Sequence, residues 1–132
     1  MIVLDTNALL WLRTGQSSLG NVSRRRIDAA FREDELSVSA ISFWEVALLQ
    51  AGGRIEFPEE VDSWRLELLG QGLKEIPVDG DVGIRAVQLR DFHADPADRI
   101  IVATAQAGHM LITADQKILE WQGSLRKLDA RQ

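Results

Sequence analysis

Four acidic residues stand where chemistry can be done. Asp5 follows the apolar run Ile2-Val3-Leu4, and Asp115 follows Leu111-Ile112-Thr113-Ala114. Glu45, in Ile41-Ser42-Phe43-Trp44-Glu45, and Asp98, in Asp95-Pro96-Ala97-Asp98, fall in the first turns of two predicted helices. Two like charges ~4 Å apart repel by about 4 kcal/mol at an effective dielectric near 20. Four carboxylates in one pocket therefore do not all stay ionised unless something positive stands among them. An all-oxygen set without Cys or a ligating His suits a hard divalent ion, Mg2+ or Mn2+, rather than zinc. Such an ion activates water, orients a phosphodiester and stabilises the departing oxygen. That is hydrolytic nuclease chemistry.

Each acid also has a plainer explanation. Asp5 opens Asp-Thr-Asn, a run of capping types. Ser42-x-x-Glu45 has the spacing of a capping box, which the sequence favours for Glu45 and which leaves one carboxylate oxygen for other work. Asp95, beside Pro96, is the natural N-cap of its helix, and Asp98 sits where the macrodipole favours a negative charge by ~0.3–1 kcal/mol. Asp98 is then the acid free to face a cleft. Asp115 has the position of another N-cap, with Thr113 near enough to orient a carboxylate or hold a water. His93 and His109 look isolated and read as loop residues. Trp11, Trp44, Trp64 and Trp121 lie at helical spacing among aliphatic neighbours and read as core. Arg24-Arg25-Arg26 reads as a solvated helix face. Arg99 and Lys117 are the cations nearest the acids and the best candidates for a phosphate contact.

These acids need a scaffold. Ile2-Val3-Leu4 and Met110-Leu111-Ile112 read as strands buried on both faces, as in a parallel sheet. Glu35–Ser39 alternates and reads as a strand. Glu75–Val78 is another, moved to an edge by Pro77. Leu125–Leu128 is a candidate last strand. Helices are expected from Ala8 onward, from a Ser23 cap to Arg32, from Phe43 to Gly52-Gly53, and over Pro58–Leu69, Asp79–Leu89, Pro96–Ala107 and Lys117–Trp121. Strands alternating with helices imply right-handed crossovers and a three-layer α/β/α sandwich on a mostly parallel sheet. Ligands in such sheets sit beyond the carboxyl ends of the strands. Asp5 and Asp115 fall there.

The chain has 132 residues, 45% of them hydrophobic, which suits one domain spanning residues 1–132 with a full core. Fifteen basic and twenty acidic residues give a net charge of −5, which argues against a protein that coats nucleic acid generally. The absence of Cys rules out disulfides, thiolate metal sites and thiol nucleophiles. Asp5 and Asn7 interrupt the apolar opening, no basic segment precedes it, and no run approaches a membrane span. A cytoplasmic protein is expected.

Taken together, these segments resemble the PIN-domain proteins, and most closely the VapC-type toxins of type II toxin–antitoxin systems. The likeness runs through the chain in order. Hydrophobic-Asp5-Thr6-Asn7 matches the first acidic motif and Ile41–Glu45 the second. His93-Ala94-Asp95-Pro96-Ala97-Asp98-Arg99 and the apolar run after it match the third, and Leu111–Asp115 the last. The resemblance implies a Mg2+- or Mn2+-dependent endoribonuclease that hydrolyses RNA with activated water. It implies a homodimer, neutralised by a small VapB- or Phd-like antitoxin, with no membrane partner. It assigns catalysis and metal binding to Asp5, Glu45, Asp98 and Asp115, with Thr6, Asn7, Asp95, Arg99 and Thr113 in support. Two other classes gather similar residues. A phospho-acceptor receiver-like domain needs paired acids after its first strand and a phosphorylatable Asp at a mid-chain strand end. A non-catalytic module would only dock RNA or a partner.

Overall fold

The computed structural model describes residues 1–15 and 18–132. Five strands make one sheet: β1 (Ile2–Leu4), β2 (Leu36–Ser39), β3 (Lys74–Ile76), β4 (Met110–Thr113) and β5 (Arg126–Asp129). They lie in the order β3-β2-β1-β4-β5, and every pairing is parallel. The short β1 is central because it is apolar on both sides. Val3 packs with Leu111 on one face, while Leu4 packs with Val38 and Ile112 on the other, all fully buried. The outer strands β3 and β5 carry Lys74, Arg126 and Lys127, which suit an edge. Strand β3 stops just before Pro77, so its edge position is as the sequence predicts.

Helices cover both faces. Helices α1 (Thr6–Thr14), α2 (Asn21–Arg32), α3 (Ile41–Ala51) and α4 (Val61–Gln71) share the core of Leu4, Val38 and Ile112. Helix α5 (Gly80–Gln88) packs against α6 (Pro96–Ala105), which closes the other face together with α7 (Gln116–Glu120). The chain order turns at β1, whose neighbours continue in opposite directions. Cleft sites form at such a switch point, outside the carboxyl ends of the strands.

Three local expectations are corrected. Ser23 does not cap α2; it is buried inside the helix and donates to the Asp129 carbonyl at 3.2 Å. The cap position belongs to Gly20, where a Cβ would overlap the Gln132 backbone. Trp44 is not core: it is 52% exposed, whereas Trp64 and Trp121 are buried. Ser42 and Glu45 do not form a capping box, because α3 begins at Ile41 directly off β2 with Ala40 in the cap position and no side-chain cap.

Arg99 is the fourth correction. Its donors are spent on backbone carbonyls, and it holds the turn between α5 and α6. Its guanidinium donates to the carbonyls of His93 (2.9 Å), Phe92 (2.7 Å), Ala86 (2.9 Å) and Leu89 (3.4 Å). A planar fork with five donors can serve four carbonyls, and an ammonium cannot. We expect Arg99→Lys to cost roughly 2 kcal/mol of stability and to speed amide exchange over 89–93, read by denaturant melts and hydrogen exchange. An unchanged melt would mean the turn holds without the fork.

Candidate active site

Asp5 is the buried centre of the site. It ends β1 and caps α1 with extended backbone, and it is only 4% exposed. One oxygen accepts from the Thr6 N–H at 2.8 Å, and the other accepts from the Thr113 hydroxyl at 2.6 Å. Strands β1 and β4 pair in register, which brings the end of β4 beside Asp5. Burial pushes the Asp5 carboxyl up to about 7, against the hydrogen bonds from Thr113 and Thr6 and with added repulsion from Asp98 and Glu45. Asp5 is thus both the cap and the acid that the sequence offered as alternatives.

Glu45 lies one turn into α3, where Phe43 and Val46 turn inward and fix the face it shows. The Thr6 hydroxyl donates to Glu45 Oε1 at 2.5 Å, and its oxygen lies 2.9 Å from Ser42 Oγ. One hydroxyl carries one proton, so Ser42 donates to Thr6 and Thr6 donates to Glu45. This chain replaces the capping box. Burial raises the Glu45 carboxyl above its ordinary range, the Thr6 bond opposes that, and Asp98 and Asp95 add repulsion.

Asp98 enters from α6. Asp95 caps that helix by accepting the Asp98 N–H at 3.1 Å, beside Pro96 in the first turn. The division of labour read from the sequence holds: Asp95 serves the helix and Asp98 faces inward. Burial raises the Asp98 carboxyl, His93 lowers it, and Asp95 and Asp115 raise it again. His93 Nε2 sits 2.6 Å from Asp98 Oδ2. His93 is in a loop as expected, yet it is not isolated. The signal was its place five residues before Asp98 at the head of the matching block.

Asp115 closes the row after β4 and caps α7 by accepting the Ile118 N–H at 3.1 Å. Its own N–H donates to Thr113 Oγ1, so the Thr113 hydroxyl proton goes to Asp5 and its lone pair to Asp115. A cleft of about 370 Å³ opens between His93, Asp95, Asp98, Asp115 and Lys117. Lys117 therefore lies where the sequence suggested, whereas Arg99 does not. Asn7 is exposed and lines a different cleft, with Trp11 and Thr14.

The donor chemistry fits a hard divalent ion. Asp5, Glu45 and Asp98 are each held toward the neutral form by burial and by neighbouring acids, and a cation reverses both effects. Among the described residues, no three His, Asp or Glu side chains are already gathered in ligating positions. The protein hydrogen bonds engage Glu45 Oε1 and Asp98 Oδ2 and leave Glu45 Oε2 and Asp98 Oδ1 without a partner among the described residues.

A profile of the PIN domain matches residues 2–122. The chain belongs to the PIN domain family. It is 34% identical over 119 residues to ribonuclease VapC22 of Mycobacterium tuberculosis, covering 89% of this chain and 88% of that one. Solved structures share the fold of this PIN domain. A chain of DNA-bound VapBC from Salmonella typhimurium superposes with a TM-score of 0.70 at 19% identity, covering 98% and 97% of the two chains. A chain of a toxin–antitoxin complex from Klebsiella pneumoniae gives 0.65 at 21% identity over 98% of each. The receiver alternative falls with the family assignment, and β2 ends in Ser39 rather than an aspartate. Among the described residues, no helix of this PIN domain is long and apolar enough to cross a membrane.

Proposed function

We propose that this PIN domain is a metal-dependent endoribonuclease acting as the toxin of a type II toxin–antitoxin pair. The observation that carries the reading is the buried Asp5 beyond the end of β1, next to β4, close enough to Glu45 and Asp98 to be repelled by both, with its carboxyl pushed up to about 7. The likeness to ribonuclease VapC22 supports RNA as substrate. The structural likeness to chains of VapBC complexes supports the fold of such a toxin, with a small VapB- or Phd-like antitoxin as partner. Helix α5 leaves Ile84 and Val87 exposed, an apolar pair suited to a homodimer contact.

Asp5 and Asp98 would hold Mg2+ or Mn2+ directly, and Glu45 directly or through water. Asp115 would hold a second ion or its waters. When bound, the ion supplies positive charge at the phosphodiester and a more acidic water. Thr113 keeps Asp5 aimed, the Ser42–Thr6 chain keeps Glu45 aimed, and His93 steadies Asp98. Lys117, on the rim of the cleft, meets a substrate phosphate.

The test is cleavage of a mixed RNA pool by the purified chain, freed of any antitoxin, with Mn2+, with Mg2+ and with chelator. Cleavage is expected with metal and at least a hundredfold less with chelator, on the order of 3 kcal/mol of barrier. No cleavage at any metal level would leave a module that only binds RNA or a partner. Equal cleavage in chelator would remove the metal from the reading.

A further inference from the structure

We infer that Trp44 and Arg54 form a nucleotide subsite beside the acids, in which the indole stacks a base of single-stranded RNA and the guanidinium meets a flanking phosphate. The inference rests on the nuclease reading and adds to it where the substrate lies. Trp44 and Leu48 are one turn apart on α3, and each is about half exposed, at 52% and 51%. Their helix hides Phe43 and Val46 and turns this apolar pair to solvent. A half-exposed indole is an amphipathic platform, and single-stranded nucleic acid offers it a flat base whatever the sequence.

The platform is not alone. Trp44 and Leu48 line a cleft of about 450 Å³ with Glu45 and Arg54, and Asp95 and Pro96 form part of its wall from α6. Glu45 belongs to the acid cluster, so a strand whose phosphodiester reaches those acids passes its next nucleotide over Trp44. Arg54 is exposed, and its side chain makes no hydrogen bond or ion pair with a described residue. Its fork is free for the two oxygens of a phosphate. An aromatic face and an unspent guanidinium in one cleft match the alternation of base and phosphate along RNA. That match favours RNA over a second copy of the chain, which would need no cation there.

The experiment compares the full chain with Trp44→Ala, Trp44→Phe and Arg54→Gln on the same RNA pool with Mn2+, reading kcat and KM separately and mapping the cut sites. Trp44→Ala should raise KM about tenfold with kcat within about twofold, since one stacked base is worth roughly that much. It should also change the base preferred beside the cut. Trp44→Phe should recover most of the loss, and Arg54→Gln should raise KM about fivefold and flatten its salt dependence. Trp44→Ala with unchanged KM and unchanged cut sites, while the parent chain cleaves, would overturn the subsite and leave the nuclease intact. A parent chain that cleaves nothing would overturn both. If Trp44→Ala or Trp44→Phe instead turns a dimer into a monomer on sizing, the face belongs to a second copy and the inference fails.

Discussion

Asp5→Asn should lower metal-dependent RNA cleavage by at least about a thousandfold and, in the same protein, raise the melting temperature at pH 8. The first effect follows from removing the most buried acid of the cluster, and a thousandfold corresponds to about 4 kcal/mol of barrier. The second follows from linkage. The Asp5 carboxyl is raised from an ordinary 3.8 to about 7 in the fold, with burial as the main cause. The folded chain therefore prefers the proton. Its stability is fully present near pH 4 and is lost as the pH climbs toward 7. At about 1.4 kcal/mol per unit, ionising Asp5 in the metal-free fold costs on the order of 4 kcal/mol. Asparagine is never charged and escapes that cost, although it must re-form the bonds to Thr6 and Thr113. A net gain of roughly 2 kcal/mol, or roughly 6–10 °C, is expected at pH 8 and should vanish by pH 5. Melts of both proteins across that range without metal decide it. A variant that melts lower than the parent at every pH would make Asp5 a helix cap and little else.

Adding a divalent ion should reverse the same penalty. Mn2+ or Mg2+ at about a hundred times its dissociation constant stabilises the fold by about 2.7 kcal/mol. An ion held by Asp5 needs it ionised, so binding well below pH 7 should release about one proton. Apparent affinity should fall about tenfold per unit as the pH drops below about 7. Titration calorimetry in two buffers of different ionisation heat would count that proton. Melts should show the metal-induced shift at pH 8 and little of it at pH 5.5, while Asp5→Asn should show little at either. A shift that is equal at both pH values would place the ion away from Asp5.

The sequence showed the scaffold and the acids better than the links between them. Asp95-Pro96 announced the start of α6 because both residues act locally. The runs before Asp5 and Asp115 marked central strands because both faces of each had to be apolar. Glu45 was read through its nearest serine, yet that serine turns to Thr6, thirty-six residues away in the chain. No local rule contains that contact. Arg99 looked like a phosphate ligand because it adjoins Asp98, but its fork is claimed by four carbonyls of the preceding turn. Trp44 looked like core because α3 is apolar on most of its faces, and only the packing of Phe43 and Val46 shows which face is left out.

The pairing of β1 with β4 joins Ile2 to Met110 and Leu4 to Ile112, nearly the full length of the chain. Synthesis proceeds from the N-terminus, so Asp5 emerges first and waits for Thr113. Until then β1 has an open flank, and Asp5 lacks the hydroxyl that aims it. Any chain broken off before β4 carries at most the first three acids of the site and has neither Thr113 nor Asp115. A copy that stops before β4 thus lacks the complete arrangement: the topology assembles the acids fully only once β4 has been made and has paired with β1.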